Sequence, residues 1–199
     1  IIVVSLGGSL IVPQSIDWAF LRRFRGLILA HIAKGRRVII ICGGGRTARN
    51  YQEAASRIVK LTGDDLDWLG IHATRINAHL LRTIFYREAH PVILTDPEHR
   101  LAFGESLLIA AGWRPGWSTD YCAVRLARQY GAAKVLNLSN MAYVYDRDPA
   151  KFKGAKPLRS LRWREFRKLI PRQWSPGLNT PFDPVASREA ARIGLEVAI

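Results

Sequence analysis

The stretch 37-RVIIICGGGRTARNYQEAA-55 decides how the rest of the chain is read. The unbroken apolar run Val38–Cys42 predicts a strand covered on both faces. The three glycines that end it lose more backbone freedom on folding than any other residue would, so something must need that bare backbone at close range. Arg46 and Arg49 follow on what reads as a helix start, where the positive end of the helix dipole disfavours cations. An anion would account for glycines and arginines together. A strand, a glycine turn and a helix amino terminus form a nest of N–H groups suited to phosphate, and arginine forks match its oxygens.

Working outward, the runs 1-IIVVSL-6, 91-PVIL-94, 106-SLLIAAG-112, 133-AKVLNL-138 and 195-LEVAI-199 also predict buried strands. Helical periodicity predicts helices over about 15–34, 46–60, 64–88, 119–130, 162–169 and 184–193. This alternation implies an α/β fold, a three-layer αβα sandwich with a mostly parallel central sheet. Such sheets bind ligands beyond the carboxyl ends of their strands. Gly7, Gly8 and Ser9 fall at one such end, Gly43 to Gly45 at a second, Gly112 and Gly116 at a third. Neither GxxxxGK[ST] nor a GxGxxG after a strand is present, which sets aside P-loop and dinucleotide-binding enzymes.

The 199 residues are 48% hydrophobic, enough for one core. A single domain over 1–199 is expected, with both ends reading as cut edges that lack a terminal helix and strand. Lys and Arg number 30 against 16 Asp and Glu, a net charge of +14 with a pI near 10.6, so the surface field attracts anions. Nucleotides, nucleic acid and acidic membranes all carry the matching charge. The cations are dispersed along the chain and no RNA or DNA module is recognisable, which disfavours nucleic acid. Cys42 and Cys122 form no CxxC pair, so neither a disulfide framework nor a zinc ribbon is indicated. No apolar run reaches the length of a membrane span and no secretory leader is visible; a cytoplasmic protein is expected.

Four further constellations carry chemistry. In 64-DDLDWLGIHATRINAHLLR-82, Asp67, Gly70, Thr74 and Asn77 share one helical face, a set suited to a sugar or a base; a solvated face with a helix crossing at Gly70 is the plainer reading. His72 and His79 have no ligand partner at i+4 and read as packing or surface residues. In 112-GWRPGWSTDYCAVRLA-127, Ser118, Thr119 and Asp120 stand at a helix start where one of them suffices as cap. Trp113 and Trp117 beside them fit a loop over a flat ligand as well as simple packing. In 137-NLSNMAYVYDRDPAKF-152, Asn140, Tyr145 and Asp148 suit an adenine and its ribose. The proline-rich 171-PRQWSPGLNTPFDPVAS-187 reads as a lid or binding loop, and 95-TDPEHRLAFGE-105 as a hairpin.

Taken in order, SLGGS, GGGRTARNYQ, DxxGIHATRINA, PGWSTDxxA, NxxxVYDRDP and FDPVAS resemble the amino acid kinase family, and within it the uridylate (UMP) kinases of archaeal type. The resemblance spans nearly the whole chain. It implies transfer of the γ-phosphoryl of ATP to UMP with Mg²⁺, in a homo-oligomer, usually a hexamer. It implies that Gly44, Gly45 and Arg49 contact the UMP phosphate, that Asp67 contacts the ribose, and that Thr74 and Thr119 belong to the same acceptor site. Gly8, Ser9, Asp120 and Arg188 are then the catalytic set; Gly7, Asn140, Tyr145 and Asp148 serve ATP; no protein side chain is assigned to metal. Many family members carry a lysine where this chain has Ser5, and Arg188, Lys151 or Lys153 are the candidate replacements. Ala142 and Tyr143 replace an acidic residue and a glycine on the ATP side. Two alternatives stay open: the same fold acting on acetylglutamate, carbamate or isopentenyl phosphate, and a nucleotide or oxyanion binder without catalysis. Phosphoryl transfer asks mainly for alignment and for charge on the equatorial oxygens, and no nucleophile set is needed.

Overall fold

The computed structural model describes residues 1–173 and 180–199. Five parallel strands form the central sheet: β1 (Ile2–Leu6), β2 (Val38–Cys42), β3 (Leu107–Ala110), β4 (Lys134–Leu138) and β7 (Glu196–Ala198), in the order β3-β2-β1-β4-β7. Between β4 and β7, β5 (Val144–Tyr145) and β6 (Pro157–Leu158) form a separate antiparallel pair. The helices are α1 (Gly8–Ile11), α2 (Trp18–Ile32), α3 (Gly45–Ser56), α4 (Gly63–Ile84), α5 (Thr119–Tyr130), α6 (Trp163–Leu169) and α7 (Pro184–Arg192).

Apolar runs become strands here because both sheet faces are covered. Alternate residues Val4, Leu6, Ile40 and Ile109 pack beneath α2 and α4, while Val3, Ile39, Ile41, Leu108 and Val135 pack beneath α5 and α7. Ile39, Ile40 and Ile41 are each 0% exposed, so no position of β2 is free to be polar; each such side chain contributes about 1.5–3 kcal/mol. The expected three layers are therefore present. The chain runs β1, β2, β3 to one side and then returns to β4 on the other, so the order reverses between β1 and β4, where ligands of open α/β sheets bind.

Two polar residues interrupt the apolar strands at that reversal. Ser5 and Asn137 are register partners on β1 and β4, both buried. Asn137 donates through Nδ2 to the carbonyl of Pro181 at 2.8 Å, which ties the segment before α7 to the sheet. Ser5 donates through its hydroxyl to Asp120 Oδ1 at 2.9 Å, which ties in the start of α5.

The expected strand at 91–94 is not one. The segment runs beside the outer edge of β3 and bridges it at Ala89 with Leu107 and at Leu94 with Ala110. Pro91, lacking an N–H, breaks the ladder between the two contacts. Residues 95–105 form a turn and an extended loop, not a hairpin; Leu101 and Phe103 pack on the core and Arg37 holds the Phe103 and Glu105 carbonyls. The proposed lid at 171–187 lies partly outside the described residues, since 174–179 are not among them.

Candidate functional site

The three glycines at the end of β2 meet the glycine pair at the end of β1. A Cβ on Gly8 would lie 2.0 Å from the Gly45 nitrogen and 2.6 Å from the carbonyl carbon of Gly43, and one on Gly45 would lie 2.2 Å from the Gly8 carbonyl oxygen. Gly45 also has φ +64°, which costs a side-chain-bearing residue about 1–2 kcal/mol. Bare backbone is thus demanded first by one loop lying on the other. On its far side, Gly7 donates to the Leu138 carbonyl at 2.7 Å, so the glycine pair sits between the ends of β2 and β4.

This seam leaves the start of α3 open. The longer helices α2, α4, α5 and α7 begin with side-chain caps, from Asp17, Thr62, Ser118 and Asp183. Gly44 at the start of α3 offers no side chain, and the first turn of α3 carries no acidic residue. Among the described residues the N–H groups of Gly44 and Gly45 find no backbone acceptor, and both residues line a cavity of about 300 Å³. Arg49 and Gln52, from the next turn, line it too. Arg46 instead pairs with Glu53 at 3.7 Å, whereas Arg49 has no carboxylate within 4.0 Å among the described residues. The open end therefore presents N–H donors, a helix dipole and a free guanidinium to one space.

The long helix α4 supplies the opposite wall and also fixes the loops. Asn77 donates to the carbonyls of Gly43 and Gly44 at 2.8 and 3.2 Å. Thr74 accepts from the Gly112 N–H at 2.8 Å and donates to the Ile71 carbonyl. Asp67 accepts from the Gly116 N–H at 2.8 Å, and burial lifts its carboxyl above the usual range. The polar helical face is thus a clamp on the glycine turns. Thr74 and Asp67 both line the cavity, but the Thr74 hydroxyl is already engaged with protein on both sides, which leaves Asp67 as the stronger ligand-facing group on α4.

Ser118 takes the capping role, accepting from the Tyr121 N–H at 3.1 Å, and so frees Thr119 and Asp120 to line the cavity. Trp113 and Trp117 pack edge to face with centroids 4.5 Å apart; both rest on the core, and Trp117 also reaches the cavity wall. Asp120 accepts from Ser5 and from the Asp183 N–H, the latter at 3.1 Å. Burial raises its pKa to about 6. Asp183 caps α7 through Oδ1, at 2.6 Å from the Ala186 nitrogen, while its Oδ2 is buried without a hydrogen-bond partner. Burial lifts this carboxyl as well. Two carboxylates of the same cavity, one with an unsatisfied oxygen, are hard donors of the kind Mg²⁺ accepts alongside phosphate oxygens. No group of three His, Cys, Asp or Glu suited to a metal occurs among the described residues, so phosphates would have to supply most of such a coordination shell.

The cavity thus gathers Gly44, Gly45, Arg49, Asp67, Thr74, Thr119 and Asp120 from separate parts of the sequence. It does not include Gly7, Gly8, Ser9, Asn140, Tyr145, Asp148 or Arg188. Gly8 and Ser9 open α1 beside the glycine seam. Asn140 is exposed just beyond β4; Tyr145 lies in β5, and Asp148 accepts from the Ala150 N–H and pairs with Lys151 at 3.8 Å. Arg188 is exposed on α7, donates to the Arg172 carbonyl at 2.8 Å and helps hold the Asp183 carboxyl down. A second cavity of about 390 Å³ lies between β6, α6 and β7; no strand-end glycine opens into it, so it offers no comparable phosphate cradle.

A model of the amino acid kinase family matches residues 1–199. This chain belongs to the amino acid kinase family. A uridylate kinase of Pyrococcus abyssi is 32% identical over 201 residues, covering 100% of this chain and 88% of the relative. A uridylate kinase of Methanospirillum hungatei is 33% identical, with 100% and 84% covered. The crystal structure of a uridylate kinase from Archaeoglobus fulgidus superposes with a TM-score of 0.83 at 27% identity, covering 98% of this chain and 88% of the other. For this member of the amino acid kinase family the sequence reading missed Gln52, Thr180 and Asp183 as cavity residues. Gln52 carries a faint signal, one helical turn beyond Ala48. Asp183 carries a better one, an acidic residue directly before a proline that opens a helix.

Proposed function

We propose that this chain is a UMP kinase, moving the γ-phosphoryl of ATP to UMP to give UDP and ADP. The carrying observation is the uncapped start of α3, open to the same cavity as Arg49 and Asp67: an anion-binding helix end with a guanidinium beside it and a carboxylate across from it. A nucleoside monophosphate uses all three, its phosphate on Gly44, Gly45 and Arg49 and its ribose hydroxyls on Asp67. A small carboxylic or carbamic acceptor would leave Asp67 with only its Gly116 N–H contact and no ligand hydroxyl to accept from.

ATP lies on the β4 side of the glycine seam, with Gly7, Gly8 and Ser9 against the transferring phosphates and Asn140, Tyr145 and Asp148 toward the nucleoside. The contact of Gly7 with the end of β4, and Asn140 just beyond that strand, support this reading. Asp120 and Asp183 would hold Mg²⁺, which supplies charge to the phosphoryl oxygens. Ser5, in the position where a cation was expected, orients Asp120 through its hydroxyl. Arg188, five residues beyond Asp183 and acting on its carboxyl, is a candidate for the missing cation. A homo-oligomer, a hexamer by family resemblance, is consistent with Tyr51, Trp68 and Ile76, which α3 and α4 leave 63%, 42% and 62% exposed. No helix among the described residues is long and apolar enough to cross a membrane, which accords with a cytoplasmic enzyme.

An acceptor screen tests the assignment. ADP release is followed with ATP, Mg²⁺ and in turn UMP, CMP, acetylglutamate, carbamate and isopentenyl phosphate. UMP is expected to give the highest kcat/KM; turnover with a non-nucleotide acceptor and none with UMP would overturn the proposal.

A further inference from the structure

The net charge of the chain is not spread evenly once each cation is matched to its surroundings. Residues 146–173, which hold β6 and α6, carry ten Lys and Arg against three Asp and Glu. That leaves seven positive charges, half of the chain's +14, in 28 consecutive residues. All ten cations are exposed. Among the described residues only Arg147 and Lys151 of these have a carboxylate within 4.0 Å, from Asp146 and Asp148. Elsewhere some cations are used internally: Arg125 and Arg128 converge on Glu189, and Arg25 pairs with Glu88, whereas Arg22, Arg23 and Arg36 are exposed and have no carboxylate within 4.0 Å among the described residues.

The local fold turns this charge outward. Phe166 and Ile170 are buried and Trp163 packs on the core, where its indole donates to the Leu195 carbonyl at 3.0 Å. Those contacts consume most of the apolar face of α6, leaving Leu169 41% exposed; Arg164, Arg167 and Lys168 are exposed, and Arg167 also donates to the Trp163 carbonyl at 3.3 Å. Ahead of them Lys153, Lys156 and Arg159 line the approach along β6. Phe152 is 50% exposed and Tyr143 44% exposed, both on the same β5–β6 unit, and the Arg147 guanidinium lies 5.8 Å from the Phe152 ring centre.

We infer that this track binds the backbone of a single-stranded nucleic acid, with Phe152 and Tyr143 as stacking platforms. Unpaired cations in a row neutralise successive phosphates, and exposed rings accept the faces of unpaired bases. A membrane surface fits less well, because interfacial binding requires an apolar helical face free to insert and α6 leaves only Leu169 of its apolar residues exposed. A duplex fits less well, because α6 is 7 residues long and has no extended face to lay in a groove.

The test is fluorescence anisotropy of a labelled 20-nucleotide oligoadenylate titrated with the full chain at 50 and 200 mM salt, with UMP and Mg-ATP present at saturation. Engagement of about five phosphates predicts a log–log salt slope near −3.5, hence roughly a hundredfold loss of affinity across that range. Arg159→Glu/Arg164→Glu/Lys168→Glu is expected to weaken binding at least tenfold and to flatten the slope by about 2, with kinase turnover unchanged. Should that variant not fold, the corresponding triple Gln variant is expected to lose the same three contacts. Phe152→Ala is expected to weaken the oligonucleotide about tenfold. The inference is overturned if the nucleotides displace the oligoadenylate or if a 20-base-pair duplex or phosphatidylserine vesicles bind as tightly. Equal loss on reversing Arg22, Arg23 and Arg36 instead would also overturn it.

Discussion

Arg46 and Arg49 are three residues apart and have different lives. Arg46 is held by Glu53, while Arg49 has no such partner and borders the cavity. Arg49→Ala is therefore expected to raise KM for UMP on the order of 10- to 100-fold, the range for a charge-assisted contact, with KM for ATP little changed; Arg46→Ala is expected to change neither. Steady-state kinetics on the two variants checks this, and equal effects on both substrates would move Arg49 off the acceptor phosphate. Asp120 supplies the second prediction at this scale. Its folded-state pKa is raised to about 6, above the value near 3.9 of an unfolded chain. The stability associated with it is thus fully present below the unfolded value and is lost as pH rises through about 6. Chemical denaturation from pH 4 to 8 should show that fall in the wild type and a flatter profile in Asp120→Asn. In turnover the dependence runs the other way: kcat should decline as pH drops through about 6, where the carboxylate takes up a proton. Ser5→Ala, which removes one donor to this carboxylate, is expected to move that midpoint upward.

At the scale of elements, the glycine seam separates two penalties that a glycine substitution can carry. Gly8 has no positive φ, so Gly8→Ala tests steric contact alone, with a Cβ set 2.0 Å from the Gly45 nitrogen. Gly131, which closes α5 at φ +67° with nothing within 4 Å of an added Cβ, tests backbone strain alone. Gly131→Ala should cost about 1 kcal/mol and lower Tm by about 2–4 °C; Gly8→Ala should cost more and also depress turnover, because the loops must part. Calorimetry on the pair decides. The elements that sequence revealed best were those whose determinants are local. The helix α5 runs from Thr119 to Tyr130 as expected because Ser118 caps one end and Gly131 the other. The central strands were legible because burial on both faces forbids polar residues almost throughout. Residues 91–94 misled because Pro91 leaves an apolar run that cannot keep a ladder. The two-residue strands β5 and β6 are too short to give a period. The acceptor cavity was legible where its groups lie on glycine turns and one helical face. The Ser5–Asp120 contact, made across 115 positions, was not, since nothing near either residue announces the other; in retrospect Ser5 and Asn137 stand out as the lone polar residues on the inward face of their strands.

For the whole molecule, the cavity draws its walls from the loops after β2 and β3, from α3, α4 and α5, and from the cap of α7, so a ligand there spans both helical layers. Bound UMP should therefore stabilise the entire fold. At a hundred times its Kd it adds about 2.7 kcal/mol, a rise in Tm of roughly 5–10 °C, and Arg49→Ala should abolish most of that rise at the same concentration. A differential scanning measurement with and without UMP distinguishes this from a local effect. The strap at 89–94 has a separate consequence. By occupying the outer flank of β3 with a broken ladder and a proline, it denies that side of the sheet to any incoming strand. Copies that meet along this flank cannot extend one continuous β-structure through it, and protection from runaway edge-to-edge growth is thus written into a single imino acid.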